Sequence, residues 1–325
     1  MRKFIKLITV AFLSVIVLAA CGSNNAANNG EAEPDNGNGE NSSEDPIKVV
    51  TTFTLLEDIV KQMGGDAVET YNLVPIGTDP HEYEPLPEDM GEAEDADVLF
   101  YNGSNLEGGD SGWFSKLVDS TGQDEDVIYK VSEGIEPMYI SSEDGSEEEI
   151  NPHTFISPDA GITMAENVKD GLIEASPENK DEIEKRSEEY ISKLEEMDEQ
   201  YKTRINDIPE EDRVFITSER AYQYMVDRYG LKEGFIWEID TEENGTPEQI
   251  KNLVSFIEDE EPPVLFIESN VDPRPMETVS NESGVEIFED ELYSDEIGEL
   301  GGEADTYMKY LQYNIDKIHA GLTGE

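Results

Sequence analysis

The sequence predicts an α/β protein of two lobes, each built on a mainly parallel four-stranded sheet, joined by one long rigid helix with a ligand cleft between the lobes. Three observations carry this. Short apolar, β-rich runs alternate with helical stretches from Ile47 onward, the pattern of α/β architecture. Several runs are continuously apolar rather than alternating, as parallel strands buried on both faces require. One long amphipathic stretch separates the first set of runs from the second.

The first set covers residues 47–53, 70–74, 98–101 and 127–131, and the second covers 214–217, 235–239, 264–267 and 285–288. Between them, Ser176-Pro177-Glu178 reads as an N-cap, a proline at the first helical position and an early acid. Ile183, Tyr190, Leu194, Met197, Tyr201 and Ile205 then recur at helical spacing, so one face is buried and the other charged. At about 1.5 Å per residue this stretch makes a rod of roughly 45 Å, long enough to join two lobes. An isolated coiled coil would use the same pattern, but the position between two strand sets favours a strut. The expected boundaries are 47–175 for the N-terminal lobe, 176–207 for the connecting helix and 208–325 for the C-terminal lobe. In such folds ligands bind outside the carboxyl ends of the strands.

Ahead of the first run, Arg2, Lys3 and Lys6 precede an apolar stretch over residues 7–18. This reads as an export signal over 1–20, too short for a comfortable membrane span. It ends in Leu18-Ala19-Ala20-Cys21-Gly22, which resembles the lipobox of bacterial lipoproteins, where the cysteine becomes the lipidated N-terminus. Cys21 is the single cysteine, so the rest of the chain has neither thiol nor disulfide. Residues 21–46 are rich in Asn, Gly, Glu, Ser and Asp and are expected to form a disordered acidic tether. The expected location is extracytoplasmic, lipid-anchored at the outer face of the bacterial cell membrane.

With 22 basic against 77 acidic residues and a formal net charge of −55, the chain is excluded as a nucleic-acid binder, because phosphate contacts need basic surface. The acids are dispersed and do not follow the spacing of a calcium loop. Self-repulsion of this size destabilises a compact state at low salt and is screened as the Debye length falls to about 3 Å near 1 M salt. The melting temperature is therefore expected to rise along a salt series followed by circular dichroism. A melting temperature independent of salt would refute this, and with it the expectation of a salty or alkaline working medium.

Only three histidines occur, and two share a setting: Asp79-Pro80-His81 and Asn151-Pro152-His153. Proline stiffens each loop, and neutral imidazole is the commonest protein ligand for divalent transition metals. His81 and His153 are thus candidate metal ligands. His319 lies in a C-terminal helical run between Ile318 and Ala320 and reads as structural. Glu219, at the carboxyl end of the run 214–217, and Asp295, after the last run, are acids placed to join a site.

The motifs Thr78-Asp79-Pro80-His81-Glu82-Tyr83-Glu84-Pro85, Asn151-Pro152-His153, Thr217-Ser218-Glu219 and Phe266-Ile267-Glu268-Ser269-Asn270-Val271-Asp272-Pro273-Arg274-Pro275-Met276 resemble those of the metal-binding solute-binding proteins of manganese and zinc ABC importers. So do Leu106-Glu107-Gly108-Gly109, Trp113-Phe114, Trp237-Glu238-Ile239 and Gly245-Thr246-Pro247. The resemblance runs in order from about residue 47 to the C-terminus. It implies two α/β lobes on one long helix and a metal held between them by His81, His153, Glu219 and Asp295. It also implies delivery to an ABC permease and ATPase complex by a monomeric, lipid-anchored binding protein. One departure is Arg220, where the family commonly has a small residue; its charge would either weaken binding or pair with a nearby acid. A second is the acidic segment 287–295, which leaves Asp290 and Glu291 as alternatives to Asp295.

Zinc-type relatives carry a third ligand histidine and usually a histidine-rich loop, and here the matching residues 141–149 hold Glu143, Asp144, Glu147, Glu148 and Glu149 instead. That loop reads as solvated surface. Two imidazoles with two carboxylates form a harder donor set than three imidazoles, which favours Mn²⁺, while Zn²⁺ and Fe²⁺ fit the same donors. Competing readings are a zinc-specific member of the family, a surface adhesin on the same fold, and a metalloenzyme. The enzyme reading lacks an HExxH motif, a nucleophile triad and an open coordination position.

Overall fold

The polypeptide enters its first sheet at a Val-Val pair that is almost wholly buried, Val49 and Val50. A computed structural model describes residues 45–141, 148–239 and 245–324. The expected signal segment 1–20, Cys21 and all of the tether but its last two residues lie outside the described residues, as do Glu143, Asp144 and Glu147. No described helix is long and apolar enough to cross a membrane.

In chain order the elements are β1 (Ile47–Thr51), α1 (Thr54–Gly64), β2 (Val68–Asn72), α2 (Pro87–Glu94), β3 (Val98–Tyr101), α3 (Trp113–Thr121), β4 (Ile128–Lys130), β5 (Tyr139–Ser141), β6 (Glu148–Ile150) and α4 (Pro158–Ala175). There follow α5 (Lys180–Asp207), β7 (Val214–Glu219), α6 (Gln223–Tyr229), β8 (Lys232–Trp237), α7 (Pro247–Glu260), α8 (Arg274–Ser283) and α9 (Tyr307–Thr323). The first sheet has the order β2-β1-β3-β4, with every pairing parallel. A helix occupies each connection, as parallel neighbours require. All four carboxyl ends therefore lie along one edge of the sheet.

The second sheet is less regular than the runs predict. β7 and β8 pair in parallel, but residues 264–267 and 285–288 form extended segments rather than ladders. Phe266 N–H donates to Ile216 O at 2.9 Å, and single parallel bridges join Leu265 to Ile287 and Glu268 to Leu292. Pro262 and Pro263 lead into the first of these segments, and proline supplies no donor to a ladder. The strand direction is kept, so Glu268 still ends its segment beside Glu219. Either side of residues 142–147, which lie outside the described residues, β5 and β6 pair as an antiparallel ribbon on which Glu148 and Glu149 are exposed.

The long helix α5 runs 28 residues, about 42 Å. It follows a 3₁₀ turn, Pro177–Asn179, so Ser176 heads that turn rather than capping the α-helix directly. Its buried face includes Ile183, Tyr190, Leu194, Met197, Tyr201 and Ile205. One continuous core joins these side chains to Leu55 and Ile59 of α1, Met164 and Val168 of α4, Met225 of α6 and Ile315 of α9. Polar ties cross it as well: Tyr201 Oη donates to Leu311 O at 2.7 Å, and Tyr307 N–H donates to Asp58 Oδ2 at 2.8 Å. The helix is thus fastened along its length by side chains from both sheet regions.

Candidate metal centre

The proposed donors sit at the end of a strand or on loops that follow extended segments, on backbone held by a second polar group. Past β2 the chain reaches Pro80, whose carbonyl accepts from Trp113 Nε1 at 2.7 Å. His81 N–H donates to Asp79 Oδ1 at 2.7 Å. Gly77 N–H donates to the Glu296 carboxylate, tying this loop to the segment that carries Asp295. The His81 loop is therefore held from several sides.

His153 stands on the loop after β6. Pro152 O accepts from Asn102 Nδ2 at 3.0 Å. Asn151 Oδ1 accepts the His153 backbone N–H at 3.1 Å and lies 2.8 Å from His153 Nδ1. Asn151 Nδ2 donates to Arg220 O at 2.9 Å and to Gln223 Oε1 at 3.0 Å.

Glu219 is the last residue of β7 and is completely buried. Its backbone N–H and that of Ser218 donate to the two oxygens of Glu268, at 2.9 and 3.1 Å. A matching carboxylate ends the first sheet: Glu107 accepts from Thr52 Oγ1 at 2.6 Å, Asn102 N–H at 2.8 Å and Gly103 N–H at 3.0 Å. Gly103 takes φ +73°, which lets the strand turn so that its N–H meets the carboxylate. Burial pushes Glu107 and Glu268 up to about 7, against the lowering effect of these hydrogen bonds.

Asp295 receives Asn270 Nδ2 on Oδ2 at 2.8 Å, with Ser294 Oγ 3.1 Å from the same oxygen. Its other oxygen, Oδ1, lies 3.1 Å from His153 Nε2 and 3.9 Å from His81 Nε2. Glu219 Oε1 is 3.7 Å from His153 Nε2. The imidazole rings meet edge to face with centroids 5.2 Å apart. His81, His153 and Asp295 each offer a donor atom within 4.8 Å of the others.

This is an enclosed place for so much polarity. His153 is fully buried, Asp295 is 5% exposed and the His81 side chain 9%. His81 Nε2, His153 Nε2 and Asp295 Oδ1 are buried without hydrogen-bond geometry to any described group, the 3.1 Å approach included. Buried polar atoms in native proteins are ordinarily paired, so these lone pairs converge on a point where a cation would be stabilised. Burial lowers the His81 pKa, although Asp295 opposes this. Burial acts to raise that of Asp295, yet the close His153 ring, the His81 ring and the Asn270 hydrogen bond together outweigh it and leave the carboxyl below its usual value.

The other acids and the third histidine are elsewhere. Asp290 pairs with Lys317 Nζ at 2.7 Å, and Glu291 is exposed. Arg220 turns to Glu233, with a 2.7 Å hydrogen bond, and to Glu238 at 3.1 Å, with its guanidinium 5.0 Å over the Phe235 ring. His319 packs beside Arg204, 3.5 Å between Nδ1 and Nη1. Asn151, Glu107, Glu268 and Asn270 lie within the motifs of the sequence but are not among the site residues it predicts. The signal was present for Glu268, which follows a buried run just as Glu219 does.

The fold, parallel α/β sheets with imidazoles and carboxylates gathered near their strand ends, matches that of periplasmic metal-binding proteins. Within that class the chain belongs to the ZnuA family, zinc-uptake complex component A, whose family model matches residues 49–321. It is 42% identical over 314 residues, 96% of this chain and 97% of the other, to the manganese ABC transporter substrate-binding lipoprotein PsaA of Streptococcus mitis. It is 40% identical over 325 residues, 99% of each chain, to the iron ABC transporter substrate-binding lipoprotein MtsA of Streptococcus pyogenes. Among solved structures, the periplasmic zinc binding protein TroA from Treponema pallidum superposes with a TM-score of 0.76 at 28% identity, over 85% of this chain and 99% of that one. The Mn-bound periplasmic metal binding protein of Candidatus Liberibacter asiaticus gives 0.73 at 25% identity over the same shares.

Proposed function

We propose that this chain is an extracytoplasmic solute-binding protein that captures a divalent transition metal, Mn²⁺ foremost, and delivers it to the permease and ATPase of an ABC importer. The observation that carries this reading is the buried meeting of His81, His153 and Asp295 donor atoms, with Glu219 beside them. Two imidazoles and two carboxylates are the assigned ligands, and the carboxylates allow more than four donor atoms. Relatives named for manganese and iron support the choice of cargo. The family is named for zinc, and the Irving–Williams order gives such a donor set a higher affinity for Zn²⁺ than for Mn²⁺; delivery of Mn²⁺ then rests on release at the importer.

The remaining assignments follow from this role. Residues 47–175 and 208–325 are the two lobes and 176–207 the connector, with Cys21 lipidated and the tether spacing a monomeric protein from the membrane. The site binds rather than catalyses, because four protein ligands close the coordination shell that a metalloenzyme keeps open. Arg220 does not oppose the cargo, since its charge is directed to Glu233 and Glu238.

Metal analysis of the purified chain and calorimetry with Mn²⁺ test the reading. Ligand imidazoles must be neutral, and burial holds His81 below its ordinary 6.5. Mn²⁺ affinity is therefore expected to hold from about pH 8 down to roughly 6.5 and to fall as protons compete below that. Equal affinities at about pH 7.5 and pH 5.5 would remove the histidines from the ligand set.

A further inference from the structure

The amide of Asn151 has a single orientation compatible with its surroundings. Its nitrogen is the atom near Arg220 O, at 2.9 Å, and a backbone carbonyl can only accept. Its oxygen is the atom near the His153 backbone N–H, at 3.1 Å, and that group can only donate. Reversing the amide would set oxygen against oxygen at the first contact and donor against donor at the second. The oxygen is therefore fixed where it meets His153 Nδ1 at 2.8 Å, and it has no proton to give. The proton in that contact must come from the ring.

From this we infer that Asn151 is a positioning residue that locks His153 in the Nδ1–H tautomer, leaving the Nε2 lone pair directed at Asp295 and Glu219. The inference rests on the reading of His153 as a metal ligand. A free neutral imidazole favours the other tautomer, with the proton on Nε2, which could not ligate through that atom. Asn151 also spans the site. Through Nδ2 it holds Arg220 O, directly after Glu219, and Gln223 Oε1 at the start of α6, while its own carbonyl accepts from Tyr224 Oη at 2.9 Å. Asn102 grips the adjoining Pro152 carbonyl from the first sheet, at 3.0 Å. One side chain thus sets which ring nitrogen is bare and how far that nitrogen stands from the Glu219 turn. Outer partners of this kind orient ligand histidines and raise their basicity.

Long-range ¹H–¹⁵N correlation spectra of the metal-free, histidine-labelled chain at about pH 8 read the tautomer directly. The His153 signals are identified by their loss in His153→Gln. The expected result is Nδ1–H in the native chain and Nε2–H in Asn151→Ala, with Mn²⁺ affinity of Asn151→Ala reduced roughly 10–100-fold. Asn151→Asp keeps the acceptor, so it retains the Nδ1–H tautomer while losing the donors to Arg220 and Gln223; it carries the test where the alanine variant does not fold. A native Nε2–H tautomer, or an Asn151→Asp chain in the Nε2–H form, overturns the proposal. So does native affinity in Asn151→Ala when His153→Gln has lost it. Native affinity in His153→Gln would instead overturn the metal site, and the spectra alone would then judge Asn151.

Discussion

Replacing His153 by alanine is expected to abolish Mn²⁺ binding at micromolar protein, with His81→Ala close behind, while the fold survives. His153 is the hub of the cluster: its Nε2 lies 3.1 Å from Asp295 Oδ1 and 3.7 Å from Glu219 Oε1. Alanine removes a donor that nothing nearby can replace, since the third histidine, His319, sits with Arg204 instead. The loss should exceed the roughly 100-fold upper end seen when only an outer partner is removed. Without metal, the same substitution removes the partner that holds the buried Asp295 carboxyl below its usual value and leaves a cavity where a fully buried ring stood, so the melting temperature is expected to fall while the chain still folds. Calorimetry beside thermal melts separates the two effects. Retained Mn²⁺ affinity in both histidine variants would place the metal elsewhere.

The second large effect is a loss of metal-free stability as pH rises from about 5 to 8. Glu107 and Glu268 stand at about 7 in the folded chain against 4.5 for the unconstrained group, because burial penalises their charge. A carboxyl with a raised folded pKa binds more protons folded than unfolded, so its contribution is complete below the unfolded value and disappears as pH passes the folded value. Each shift corresponds to up to roughly 3 kcal/mol. His81, lowered from 6.5, works in the opposite direction only below about 6.5, in the lower part of this window, and Asp295 acts only below 3.8. Asp58, Glu233 and Glu296 are raised by burial as well and act with the two glutamates. Melts with a chelator in about 1 M salt, which screens the surface repulsion, should show a higher melting temperature near pH 5.5 than near pH 8. Glu107→Gln should flatten the slope. A melting temperature that climbs with pH over this range would show that other groups dominate.

Much of the fold could be read from local pattern. Continuous apolar runs such as Val49-Val50 and Leu99-Phe100 became buried parallel strands because only backbone pairing satisfies a buried extended chain. The helical spacing of Ile183, Tyr190, Leu194 and Tyr201 marked the buried face of α5 for the same reason of period. The irregular second sheet was less legible. Residues 264–267 and 285–288 have strand composition, yet whether a ladder forms depends on partners distant in sequence and on the donors lost at Pro262 and Pro263.

For the site, sequence by itself determined the chemistry on offer: two scarce histidines on stiff loops, acids at the ends of apolar runs, and no thiol beyond Cys21. It left Asp290, Glu291 and Asp295 as alternatives, and it could not say where the Arg220 charge would go. Tertiary structure decided which groups meet, setting Asp290 against Lys317, Asp295 against the imidazoles and Arg220 against Glu233. It also disclosed what composition cannot encode, the Asn151 amide clamped between His153 and Arg220 and the Glu268 carboxylate under the Glu219 backbone. The physical reason is range. Strand and helix preferences act over a few residues, whereas hydrogen-bond and charge partners at buried strand ends are set only when segments far apart in the chain are packed together.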